Sequence, residues 1–104
     1  MVRFADRVYA LVKTVPAGKV TTYKDIAHAL GTGAYRGVGQ ALRSNPYAPA
    51  VPCHRVVSAD GRIGGFFGET SGEPVQRKIA MLRREGVMVE GDRVVDFEHR
   101  RYTF

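Results

Sequence analysis

Cysteine is almost missing from this chain: in 104 residues there is one, Cys53. A single thiol makes no internal disulfide, and with no Cys-x-x-Cys pair there is no thiolate-built zinc site, so no metal or other cofactor is expected. Long apolar runs are missing too. No stretch approaches the ~20 residues that span a bilayer, and Arg3, Asp6 and Arg7 break the amino terminus before it can read as a signal peptide. Acidic residues are in deficit, ten against sixteen Lys and Arg, for a formal charge of +6. Most of those bases are Arg, which favours anionic, phosphate-like partners able to take bidentate contacts. There are no repeats, low-complexity tracts or linkers. What remains is one soluble domain, 44% apolar and 25% charged, expected in a reducing compartment such as the cytoplasm, with no membrane partner.

Periodicity divides the chain into short pieces. Phe4, Val8, Leu11 and Val12 form the apolar stripe of a helix that stops before Pro16. After a turn at 16–19 and an extended Val20-Thr21, Thr22 opens a second helix. Its hydroxyl is placed to cap, with Asp25 three residues on and Ile26, Ala27 and Leu30 inward. Gly31-Thr32-Gly33 ends that helix in a left-handed turn. A third helix over about 34–44, with Val38, Ala41 and Leu42 inward, is stopped by Asn45-Pro46. Residues 47–52 read as extended and Cys53–Val57 as a buried, strand-like segment. A glycine-rich loop follows through Gly64, Gly65, Gly68 and Gly72. Pro74 starts a last helix, with Val75, Ile79 and Leu82 inward and Gly86 as its stop. Val87–Val89 and Val94-Val95 around Gly91-Asp92 predict a hairpin.

Two helices joined by a glycine-bearing turn make either a helix-turn-helix or a plain structural corner. The third helix carries Arg36 in its first turn, against the dipole, beside the poor helix formers Gly37 and Gly39; Arg43 lies near its end. Those choices make sense if this face approaches another backbone closely. Gly31-x-Gly33 is no dinucleotide fingerprint, because Arg36 stands where the third glycine belongs and no βαβ strand precedes it.

Cys53 has unusual neighbours: Pro52 before it, His54 and Arg55 after. A thiol attacks as its thiolate, which calls for a base within reach and positive charge nearby. His54 would reach it through a bent backbone or a bridging water, and Glu85, at the end of the last helix, is placed to orient the imidazole. Glu85 also reads as an ordinary exposed carboxylate, and a Cys-His pair alone fits a hydrolase or a redox sensor as well.

Pro52-Cys53-His54-Arg55-Val56 resembles the active-site motif of the O6-alkylguanine-DNA alkyltransferases, the methylated-DNA–protein-cysteine methyltransferases. Thr22-Tyr23, Arg36-Gly37-Val38-Gly39, Asn45-Pro46, Gly61, Lys78 and Glu85-Gly86 fall in the same order, so the resemblance runs from about Phe4 to Val89. It implies an α-rich α+β fold: a winged-helix-like helix-turn-helix domain with a short C-terminal hairpin, here the catalytic domain alone with no amino-terminal domain before it. It implies irreversible, single-turnover transfer of an alkyl group from O6 of a flipped-out guanine to the protein. Cys53 would be the nucleophile, His54 its base through water, and Glu85 the orienter of His54. Tyr23 would help rotate the nucleotide and protonate the leaving guanine. Asn45 would be the hinge beside the bound base, with the carbonyls of Cys53 and Val56 accepting from its amino group. Phe67 takes the loop position where many members place a small polar residue against O6. Thr22, Arg36, Gly37, Gly39 and Arg43 would meet double-stranded DNA in the minor groove, with Arg36 filling the vacated stack and Arg43 on phosphate. The protein is expected to act as a monomer.

Two departures stand out: Gly37 where the family usually has Ala, and residues 69–73, which read as an insertion beside the pocket. Two other functions fit parts of the pattern. An alkyltransferase-like sensor binds the lesion without accepting the group, but typically lacks the cysteine. A helix-turn-helix regulator leaves Tyr23, Asn45 and Glu85 without a role.

Overall fold

The computed structural model describes residues 3–104. Helix α1, Phe4–Val12, buries Val8, Tyr9 and Val12 on its apolar stripe. Strand β1 is two residues, Thr21–Thr22, and runs straight into α2, Tyr23–Ala29. The Thr22 hydroxyl accepts from the Asp25 amide at 3.0 Å, the expected cap. Gly31 then turns the chain at φ +73°, with no atom near its missing side chain, so backbone freedom alone calls for glycine there. Helix α3, Tyr35–Arg43, follows with Val38 and Leu42 inward. The three helices pack around one apolar cluster that includes Val8, Val12, Ile26, Val38, Leu42, Cys53, Val56 and Phe66.

A second cluster holds Val20, Val57, Ile63, Ile79, Leu82, Val87, Val89 and Val94. It lies under α4, Glu73–Arg84, and the hairpin of β3, Val89–Glu90, with β4, Arg93–Val94. Strand β2, Val56–Val57, joins the two clusters by pairing in parallel with β1, Thr21 opposite Val56 and Thr22 opposite Val57. The helix-turn-helix is thus hung between two strands clipped side by side.

Three expectations are corrected. Residues 47–52 are not extended: Asn45 Oδ1 accepts from the Tyr47 amide and Asn45 Nδ2 donates to the Val51 carbonyl, folding the segment into turns. Cys53–Arg55 is a single 3₁₀ turn rather than a strand, with the strand confined to Val56–Val57. The helix from Pro74 is not the last. A fifth, α5, Phe97–Arg100, follows the hairpin and carries the C-terminal residues back onto β1 and α2. There the Val20 amide donates to the Arg100 carbonyl and the Tyr102 amide to the Val20 carbonyl.

Candidate active site and DNA-facing surface

The 3₁₀ turn gives Cys53 and His54 a bent backbone, so that both side chains enter the interior: Cys53 is 6% exposed and His54 3%. Pro52 and the Asn45 bonds fix the approach, since Asn45 Nδ2 holds the Val51 carbonyl at 3.0 Å just before the motif. His54 Nε2 meets Glu85 Oε2 at 3.1 Å. Glu85 caps the end of α4, a place where a carboxylate opposes the helix dipole and needs another cation. Arg55 supplies it, with Nε on Oε1 at 2.9 Å and Nη2 on Oε2 at 2.6 Å, while Nη1 donates to the Val15 carbonyl at 2.7 Å. Sequence reasoning brought Cys53, His54 and Glu85 together; it treated Arg55 only as nearby charge and missed the fork.

The electrostatics follow from this packing. Burial pushes the Cys53 thiol up, opposed by the Asn45 hydrogen bond and the Lys78 charge. Burial pushes the His54 imidazole down, opposed by Glu85. Burial works to raise Glu85, but the hydrogen bonds from Arg55 and His54 outweigh it and hold the carboxyl below its usual range. At rest the pair is therefore a neutral thiol beside a neutral base backed by an anion.

Lys78 is the residue whose role the sequence reading missed. It is fully buried, and its Nζ donates to the carbonyls of Val56, Ile63 and Gly65 at 2.7, 2.6 and 3.0 Å. Burial pushes its pKa down to about 7. These bonds tie the end of the Cys53 motif to the glycine-rich loop. The signal was present: Val75, Lys78, Ile79 and Leu82 sit at i, i+3, i+4 and i+7, which puts the lysine on the apolar stripe.

In front of Cys53 lies a cavity of about 170 Å³, lined by Tyr23, Gly39, Leu42, Arg43, Cys53, Gly65, Phe66, Phe67, Gly68 and Thr70. Tyr23, Gly39, Arg43 and Phe67 are thus gathered at the thiol. Burial, then Cys53, raises the Tyr23 phenol. Phe67 holds a left-handed backbone (φ +51°) with its ring against Phe66, strain of the kind found at binding sites. Arg36 is exposed at the start of α3, away from this lining.

Other expected contacts fall elsewhere. Thr22 is fully buried with its hydroxyl on Asp25, so it does not reach a DNA-facing surface. Val56 is also fully buried, and its carbonyl already accepts from Lys78, which leaves one lone pair for the expected contact with the base. A side-chain carbon at Gly37 would meet Phe4 at 3.3 Å, and one at Gly39 would meet Tyr23 at 3.9 Å. The close approach these glycines permit is therefore first an internal one. Among the described residues no three His, Cys, Asp or Glu side chains are grouped to hold a metal ion, and no helix is long and apolar enough to cross a membrane.

This arrangement has a known counterpart. Residues 3–87 match the model of the 6-O-methylguanine DNA methyltransferase DNA-binding domain. The chain belongs to this family. Among its members, a methylated-DNA–protein-cysteine methyltransferase of Shigella flexneri is 41% identical over 87 residues, 83% of this chain and 48% of the relative. The chain thus spans about half the length of such methyltransferases. A "DNA base-flipping protein" of Escherichia coli is 37% identical and is matched over 97% of this chain and 75% of its own length. The structure of S. pombe Atl1 in complex with damaged DNA containing O6-carboxymethylguanine superposes with a TM-score of 0.85 at 30% identity, covering all of both chains. The methyltransferase-domain fold is therefore settled as helix-rich with short strands.

Proposed function

We propose that this protein is a DNA-repair alkyltransferase that flips O6-alkylguanine out of a duplex and moves the alkyl group to Cys53. The carrying observation is the thiol opening onto a cavity while the His54–Glu85 pair stands behind it. Sγ attacks the alkyl carbon, a C–S bond forms and the C–O6 bond breaks, with the electron pair left on O6. The thiol proton passes through water to His54, whose positive charge Glu85 supports. Tyr23 protonates the departing guanine and regains its proton from His54 through solvent, so thiol and O6-alkylguanine become thioether and guanine. The Cys53 and loop backbone would read the base. Arg36 would fill the vacated stack, its exposure at the head of α3 supporting that role, and the surplus charge would hold phosphates without reading sequence. Relatives crystallised with DNA, including Mycobacterium tuberculosis OGT, support double-stranded DNA as the partner.

One observation favours a second reading, a lesion sensor that binds without transfer. The whole chain, C-terminal residues included, superposes on S. pombe Atl1, whereas the methyltransferases are matched over half their length. Cys53 separates the two. After incubation with a duplex carrying O6-methylguanine, peptide mass spectrometry should find one added CH2 on the Cys53 peptide, absent in Cys53→Ala. Tight lesion binding with an unmodified thiol would establish the sensor instead. Equal binding to undamaged DNA with one preferred sequence would indicate a regulator.

A further inference from the structure

One oxygen of Glu85 serves two donors. Oε2 accepts from His54 Nε2 at 3.1 Å and from Arg55 Nη2 at 2.6 Å, while Oε1 takes Arg55 Nε at 2.9 Å. A carboxylate oxygen has lone pairs for both donors, but a single charge is divided between them. Both donors come from the 3₁₀ turn, and the guanidinium is tied in place. Its Nη1 donates at 2.7 Å to the carbonyl of Val15, a buried residue just past α1. The side chains of Arg55 and Glu85 are 17% and 18% exposed and that of His54 is buried, so water and salt screen this triangle little.

Because Glu85 is held as an anion it can only accept, which puts the hydrogen on His54 Nε2 and leaves Nδ1 with the free lone pair. A carboxylate with no other partner would favour the imidazolium, and a base protonated at rest takes no proton from a thiol. We propose that Arg55 is a positioning residue for the reaction: by sharing Oε2 it limits how far Glu85 draws a proton onto His54, and so keeps the imidazole a vacant base until Cys53 gives up its proton. This rests on the reading that His54 serves Cys53 as base. The groups facing His54 fall into two sets. Burial is the largest influence and lowers the imidazole, Glu85 at the end of α4 raises it, and the charges of Arg55 on the 3₁₀ turn and Lys78 on α4 lower it. Lys78 is taken up by three carbonyls, whereas Arg55 is bonded to the carboxylate itself. Two substitutions around one carboxylate should therefore move His54 in opposite directions: loss of Arg55 upward, loss of the Glu85 charge downward.

Two readouts on the full chain test this, and the first needs no DNA. Imidazole C–H signals are followed by NMR through a pH titration, with His54 identified against His28→Gln and His99→Gln spectra. The His54 midpoint should lie higher in Arg55→Gln than in the parent and lower in Glu85→Gln. Arg55→Lys, which keeps a cation without the fork, should return the midpoint most of the way. The second readout is timed methyl transfer to Cys53. Arg55→Gln should slow it about fivefold at pH 6 and little at pH 8, the loss expected of a partly enclosed ion pair worth about 1 kcal/mol. A His54 midpoint that stays put or falls in Arg55→Gln would overturn the proposal. So would transfer slowed equally at every pH by both Arg55 variants, since that is what a residue that only holds the fold would give. Absence of methyl transfer in the parent would sink the transferase reading, while the NMR midpoints still decide what Arg55 does to His54.

Discussion

Glu85 divides its two oxygens between a permanent cation and a titratable base. The Arg55 fork keeps it ionised, so the imidazole on Oε2 always faces a full negative charge. Replacing Glu85 by Gln removes that charge with little change of shape, and alkyl transfer should slow about 10²-fold. The pH profile carries the sign. His54 works as the neutral base and burial already lowers its pKa, so the parent rate should hold through the ordinary imidazole range and fall only below it. Without Glu85 the imidazole loses the interaction that raises it, so the acid limb should move to still lower pH. Timed methyl transfer between pH 5 and 8 measures both, and an unmoved acid limb would show that Glu85 does not act through His54. At this scale the grouping of the candidate residues was largely legible, because Pro52-Cys53-His54-Arg55-Val56 is contiguous and Glu85 follows from helix position. Lys78 was not, since a lysine reads as solvent-seeking unless its carbonyl partners, brought from three separate segments, are known.

Among the elements, the C-terminal one was hardest to read. Residues 97–100 are mostly polar and only one turn long, so no periodicity marks α5. The two-residue strands β1 and β2 likewise show nothing of their pairing, because their register is set by the helices between them. By contrast α1 to α4 have apolar stripes, with a side-chain cap on α2, and they fell where periodicity placed them. What holds the C-terminal residues is backbone bonding to Val20 and a fork from Arg101 to Asp25, Nε on Oδ2 at 2.8 Å and Nη2 on Oδ1 at 2.7 Å. The Arg101 hydrogen bonds hold the Asp25 carboxyl below its usual range. The fork's contribution is then fully present above the unfolded-state pKa near 3.9 and lost as pH falls through the folded value. Arg101 is partly solvent-screened, so Asp25→Asn should cost about 1 kcal/mol, or roughly 4 °C in Tm near pH 7. Scanning fluorimetry should show the parent and variant curves converging at the acid end. An equal gap at low pH would assign the loss to something other than the ion pair.

For the whole molecule, the charge of +6 was plain in the composition, but where it acts was not. Some of the cations are spent internally, on Glu85 and Asp25, and Lys78 is enclosed. Arg36 at the head of α3 and Arg43 at its end are both exposed, and on the proposed function they would meet DNA. If about four phosphates are neutralised, affinity for an undamaged duplex should fall by about 10²-fold between 50 and 200 mM salt. Anisotropy titrations at several salt concentrations give the slope, and a flat response would remove the electrostatic account of binding. The two apolar clusters meet at β2, directly after the 3₁₀ turn that carries Cys53, with Val56 in one cluster and Val57 in the other.

Burial of Cys53 also bears on time. On the proposed single-turnover reaction, the thiol must stay intact until a lesion arrives. Peroxide and other oxidants consume the thiolate, the form that a raised pKa makes scarce, and an enclosed sulfur is harder to reach. The same enclosure that demands a base at the moment of reaction therefore sets the shelf life of the unused molecule.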